Sequence, residues 1–261
     1  MKSILNGFRH AWNYRSLFVR FVAIKISAKY KDSALGFAWS LVNPLSFLLV
    51  FIFLKSKVFH FNIPNYAIFV LIGLWIWNFI QSSCIDSCMS IFEYSDVVKK
   101  IPFPKILHPL STVASHLIHF ILTLPCLYIY MLVIHAPFLK GMILVPFAMI
   151  LMFCFTAGLA CFISIIAVIF RDIRYILEVV FRIVFFLTPV FYSVSQVPDP
   201  YRRIISLNPI YFFIDCFRKL IYANELLSVS TMAWGILLCF GSLILGAVIF
   251  IRQEQKINYY L

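Results

Sequence analysis

Six apolar runs, near residues 37–54, 66–92, 106–134, 141–169, 175–194 and 231–251, decide what solvent this chain can occupy. A hydrocarbon core about 30 Å thick is crossed by about 20 apolar residues in a helix. Lipid offers no partner to an open backbone N–H or C=O, so each run is predicted to be helical. The first run is a little short, and the third and fourth contain Pro125 and Pro146, which membrane helices tolerate at a kink. Composition agrees. The chain is 63% hydrophobic and 12% charged, whereas a soluble domain is about half apolar and about a quarter charged. No polar stretch is long enough to build a separate soluble domain. The expected fold is an all-α polytopic membrane protein with six transmembrane helices.

Lys and Arg in the connections set the orientation. With the N-terminus inside, the inner side collects 14 bases and the outer side 7, so N-in and C-in is expected. The net charge of +12 is read as attraction to anionic lipid headgroups and not as nucleic-acid binding. The first 36 residues hold Lys2, Arg9, Arg15, Arg20, Lys25, Lys29 and Lys31 and no uninterrupted apolar run, so no cleavable signal peptide is expected. Leu17, Phe21, Ile24 and Ala28 share one helical face there. The segment 1–35 therefore reads as an amphipathic helix in the cytoplasmic interface, followed by the membrane domain at 36–261.

The connection at about 193–230 departs from the hydropathy frame. It holds Pro198, Pro200 and Pro209 and then PIYFFIDCFRKLIY, too short an apolar stretch to span, which reads as re-entrant or interfacial. Asp215 and Arg218, three apart, are expected to meet on one helical face, and Glu178 and Arg182, four apart, likewise.

Ionisable residues inside spans are the usual carriers of membrane chemistry. Here they are Asp86, His108, His116, His119, Glu178 and Arg182. The histidines have no HExxH pattern around them and no third ligand, so no metal is expected. Cys84, Cys88, Cys126, Cys154, Cys161, Cys216 and Cys239 form no CxxC pair and read as packing residues. A P-loop is absent from the sequence, so ATP hydrolysis is not expected in this chain. A membrane-embedded sugar transferase or phosphatase would draw on Asp86 and His108–His119, and an ion-coupled transporter is a further alternative. Aromatic residues reach 18%, with 29 Phe. Mid-span Phe51, Trp75, Trp77, Phe79, Phe185 and Phe186 would suit a corridor for sugar rings, whose apolar faces stack on aromatics.

Four segments carry a family resemblance. KYKDSALGFAWSLVNPL at 29–45 resembles the entry to the first span in permease subunits of ABC exporters for lipid-linked polysaccharides. KKIPFPKILHPLSTV at 99–113 is similar to their loop leading into the third span. RDIRYI at 171–176 is the third segment. TPVFYSVSQVP at 188–198, followed by LNPIYFFIDCFR at 207–218, completes the order.

The resemblance implies a homodimer docked on two copies of a separate ABC ATPase subunit, with ATP and Mg bound there and no cofactor in this chain. It implies a coupling loop at about 93–105, with Asp96, Lys99, Lys100, Phe103 and Pro104 receiving the motor's motion. It implies an outer gate of short helices at about 193–230, involving Pro198, Asn208, Pro209, Asp215 and Arg218. The cargo would be a polyprenyl-diphosphate-linked glycan, O-antigen first, with teichoic acid or capsule as alternatives, exported across a bacterial inner membrane. Arg15, Arg20, Lys25, Lys29 and Lys31 would meet the diphosphate, since charge-assisted contacts to phosphate are strong. Phe51, Trp75, Trp77, Phe79, Phe185 and Tyr192 would line the glycan path. Close helix approach is expected at Ser242 and Gly246, or at Ala157 and Cys161.

Overall fold

The computed structural model describes residues 14–30, 38–57, 63–94, 103–137 and 139–254. Its elements are helical: α1 (Arg15–Tyr30), α2 (Trp39–Lys57), α3 (Tyr66–Met89), α4 (Leu107–Val133), α5 (Val145–Ile169), α6 (Ile173–Leu187), α7 (Asp199–Ser206), α8 (Pro209–Phe217) and α9 (Val229–Gln253). A helix therefore stands at each of the six apolar runs. Four of them, α3, α4, α5 and α9, are long and apolar enough to cross a membrane. Helix α6 has 15 residues, about 22 Å at the helical rise, and stops short of the hydrocarbon thickness. Pro125 sits inside α4, whereas Pro146 falls in the first turn of α5, where its missing N–H leaves no bond unmade.

Helix α3 is the centre of the fold. Most of its residues are buried, and it packs against α2, α4, α5, α6 and α8. Helices α5 and α9 form the most extensive pair. Their backbones meet at Gly158 and Gly246: a Cβ on either would collide with main-chain atoms of the other helix. Ser242 Oγ donates to Phe155 O at 2.7 Å and Cys239 Sγ to Leu151 O at 2.8 Å across this contact. The small residues at 242 and 246 thus do join helices as expected, but within one chain. Ala157 and Cys161 are also buried within it.

Within the N-terminal segment 1–35 the described residues form the helix α1. Its buried positions are Phe21 and Val22, with Leu17 and Phe18 half-buried, while Ile24 and Ala28 are exposed. The inward face is therefore rotated from the one the periodicity suggested.

Two expected ion pairs are rearranged. Glu178 accepts from Arg174 at 3.2 Å, one turn back, and not from Arg182. Asp215 pairs with Lys219 at 2.7 Å, because Arg218 is committed elsewhere.

Candidate functional site

Beyond α6 the chain leaves helical geometry at Thr188–Tyr192, yet Thr188 and Val190 are fully buried. Unpaired backbone at such depth is costly, and side chains supply the missing partners. The buried Arg218 guanidinium donates to Pro189 O at 2.7 Å, Val190 O at 2.6 Å and Phe69 O at 3.2 Å. It also lies over the Phe69 ring, 3.4 Å from its centroid. Tyr66 Oη donates to Phe191 O at 3.1 Å, Tyr192 Oη to Leu187 O at 3.3 Å, and Val190 N to Thr188 O at 2.7 Å. Five consecutive carbonyls, 187 to 191, are thereby satisfied. Gly73 makes room, since a Cβ there would press on the Arg218 guanidinium and on Val190.

The short helices of the 193–230 connection are fastened to this turn. Asn208 caps α8 by accepting from Ile210 N at 2.9 Å and donates to Thr188 Oγ1 at 2.8 Å. Pro209 begins α8 and Pro198 precedes α7. A π-helical turn, Arg218–Tyr222, follows α8, and Tyr222 Oη donates to Pro64 O at 2.8 Å. Two helices shorter than a span are what the sequence predicted here. The three-carbonyl role of Arg218 was not readable, because its acceptors are backbone atoms and leave no residue-type signature.

The other end of α3 is open. From Phe69 to Asp86 the helix rises about 25 Å, and there it meets α1 and α4 around a cavity of about 430 Å³. Lys25 and Lys29 come from α1, Asp86 from α3, and Thr112, Ser115, His116 and His119 from α4, with Glu93 just beyond α3. Lys25 Nζ pairs with Glu93 at 2.9 Å and His116 Nε2 with Asp86 Oδ2 at 2.9 Å. Crowding around the Lys29 ammonium pushes it below the usual lysine value, and the nearby Asp86 carboxylate opposes that shift. Ile118 and Leu122 give the cavity an apolar rim. A second cavity, about 270 Å³, shares Lys29, His116 and His119 with the first and continues to Phe47, Trp75, Phe79 and Phe120, with Asn78, Ser82 and Thr123 among them.

Of the predicted headgroup cations, Lys25 and Lys29 line this cavity, Arg15 and Arg20 are exposed on α1, and Lys31 lies outside the described residues. Asp96, Lys99 and Lys100 also lie outside them. Phe103 is buried against Phe21 of α1, ring centroids 5.8 Å apart, with Pro104 following it. The buried His108 ring sits 4.9 Å from Phe21 and 5.3 Å from Phe103. Lys105 N donates to Glu254 Oε1 at 2.7 Å beside them. The exit of the 95–102 connection is thus bound to α1.

The aromatic residues divide into two sets. Trp75 and Phe79 line the second cavity. Trp77, Phe185 and Phe51 form a packed ring cluster with Phe181, Phe191 and Tyr66, and Tyr192 lies beside it in the turn. His116 and Asp86 were recognised in sequence only as isolated ionisable residues. Their pairing across 30 positions becomes visible when α3 and α4 pack.

Among the described residues, no cluster of His, Cys, Asp and Glu is suited to a metal.

The family model for the ABC-2 type transporter matches residues 17–222, the stretch from α1 through the π-helical turn. An O-antigen export system permease protein, RfbA, of Klebsiella pneumoniae is 30% identical over 232 residues, covering 88% of this chain and 89% of its own. The protein of that name from Myxococcus xanthus is 30% identical over 220 residues, 84% and 85% of the two chains. The polysialic acid transport protein KpsM of Escherichia coli is 21% identical over 262 residues, 92% and 93%. With α1, the apolar bundle and the 188–192 turn all inside the matched region, the chain belongs to the ABC-2 type transporter family, as a membrane permease.

Proposed function

We propose that this permease exports a polysaccharide carried on a polyprenyl diphosphate, O-antigen in the first place, across a bacterial inner membrane. As an ABC-2 permease it is a membrane subunit and not an enzyme, with ATP hydrolysis on a separate subunit. In this reading the chain crosses the membrane six times with both termini inside. Helix α6 completes its crossing through the 188–192 turn. Two copies pair, and two ATPase copies dock below the 93–105 loop with ATP and Mg. Because Ser242 and Gly246 are used inside the chain, the second copy needs another surface. Helix α6 offers one, with Tyr175, Val179, Ile183 and Phe186 exposed.

The observation that carries the reading is the groove between α1, α3 and α4. Its nitrogen side chains, Lys25, Lys29, His116 and His119, set beside Asp86 and Glu93, can meet phosphate, Ile118 and Leu122 suit an isoprenoid chain, and the aromatic second chamber suits a sugar. Such a cargo joins those three parts, with the diphosphate between the isoprenoid and the sugar. The relatives named for O-antigen export support that polymer class as the first choice.

The mechanism follows from the contacts. Movement of the 93–105 loop acts through Phe103 on Phe21 and therefore on α1. Helix α1 is also the wall that carries Lys25 and Lys29. A motor stroke would shift the cationic wall against Asp86 and His116 and move the headgroup, while the glycan advances toward the 193–230 gate.

The test is a strain deleted for this gene. The expected result is loss of surface polysaccharide with lipid-linked polymer retained on the cytoplasmic face, restored by the intact chain and not by Phe103→Ala. Unchanged surface polysaccharide in the deletion would contradict the reading.

A further inference from the structure

We propose that Asp86 is a resident counter-anion in the α1–α3–α4 cavity, and that a phosphoryl group of a lipid-anchored diphosphate takes its place on His116 and Lys29. The inference deepens the proposed export function and rests on it for the nature of the lipid.

The cavity holds two carboxylates, and each already has a nitrogen partner at 2.9 Å: Glu93 with Lys25, and Asp86 with His116. The two pairs differ in their surroundings. Glu93 lies beyond the end of α3, in a short 3-10 turn. Asp86 lies within α3, and its side chain is 55% exposed to the cavity side while His116 is only 13% exposed. The imidazole is therefore a fixed feature of the wall, and the carboxylate is the group with room to turn away. Lys29 lines both cavities and forms no ion pair among the described residues. His119 lies one turn deeper on α4 and also lines both.

A carboxylate and a phosphoryl oxygen ask for the same donors, N–H groups on cationic or polarised nitrogen, and phosphate presents more acceptor oxygens to them. Exchange of one anion for the other leaves His116 paired at every stage and gives Lys29 an anionic partner. Ile118 and Leu122 on the rim favour a phosphate that brings an apolar chain over one that is free in solution.

The experiment uses the full chain in nanodiscs of neutral phosphatidylcholine, titrated with farnesyl diphosphate and, separately, with inorganic pyrophosphate. The intact chain is expected to bind farnesyl diphosphate more tightly than pyrophosphate. His116→Gln and Lys29→Gln should each weaken that binding about tenfold, the loss of one charge-assisted contact, whereas Asp86→Asn should tighten it several-fold by removing the competitor. Unshifted thermal midpoints show that the variants are folded. Weaker or unchanged binding by Asp86→Asn, or unchanged binding by His116→Gln, overturns the exchange. Equal affinity for pyrophosphate overturns the assignment to a lipid-anchored diphosphate. If the intact chain binds the probe and the variants match it, the exchange fails while the export reading stands. Export itself is judged by surface polysaccharide in the deletion strain.

Discussion

Helix α3 connects two regions built on opposite rules. At Phe69–Gly73 it meets a cation whose partners are neutral carbonyls, fixed by three hydrogen bonds and a ring. Near its other end, nitrogen side chains, His116 and Lys25, have carboxylates, Asp86 and Glu93, as partners at a cavity wall. Carbonyl partners belong to the backbone and cannot be exchanged without breaking the turn. Carboxylate partners sit on side chains that can rotate away. The first arrangement holds a non-helical segment in place inside the bundle, and the second leaves nitrogen donors whose carboxylate partners an incoming anion can replace.

The comparison breaks most directly at Arg218. Arg218→Ala leaves three buried carbonyls without donors and is expected to cost about 3 kcal/mol or more, read as a fall in the thermal midpoint of the detergent-purified chain. Arg218→Lys should recover only part of this, because an ammonium lacks the planar fork that reaches several acceptors. If Arg218→Ala melted like the intact chain, the clasp would have no structural weight.

A second strain on the fixed region comes from the α5–α9 crossing. Gly246→Leu forces side-chain atoms onto the Gly158 backbone and is expected to destabilise by about 1–3 kcal/mol, as overpacking does. Gly241, on the same helix, has nothing within 4 Å of its would-be Cβ. Gly241→Ala should therefore be neutral or stabilise by up to about 1 kcal/mol through helix propensity. Equal melting of the two variants would remove the claim of a close crossing.

Asn208→Ala should cost about 1 kcal/mol, the worth of a helix cap, because it removes both the α8 cap and the tie to Thr188. The smallest stability effect belongs to the open region. Lys25→Gln breaks an ion pair whose Glu93 side chain is half exposed, so less than about 1 kcal/mol is expected. Export of surface glycan by the same variant should nonetheless fall. A large loss of stability with normal export would reverse the comparison.

The two regions were also unequally legible in the sequence. Apolar run length alone located helices at all six places, since lipid leaves a backbone no other way to pair. Proline spacing and the short PIYFFIDCFRKLIY stretch marked a connection of short helices. What the connection holds on to was hidden, because Arg218 was expected to meet the nearby Asp215. A charge pattern along one helix cannot show that a carbonyl 149 positions away, or those of a turn near 190, are in greater need of a donor. In the open region, Lys25 and Lys29 stood out as cations before an apolar run, and the resemblance gave them a task. Asp86 and His116 joined them only through the packing of α3 on α4. The α1 face missed by about one residue for a similar reason: its partners are Phe103, Leu107 and His108, and periodicity within α1 carries no record of them.

The central claim is that this chain, driven by an ABC ATPase, moves a lipid-diphosphate-linked glycan across a bilayer. It is tested most directly in proteoliposomes that hold the chain with its ATPase and a lipid-linked glycan extracted from the same cells, followed by glycosidase access to the polymer on the far leaflet. ATP-dependent transfer that stops in Phe103→Ala, with ATP binding intact, is the predicted result. Transfer without ATP, or ATP-dependent transfer unaffected by Phe103→Ala, would contradict it.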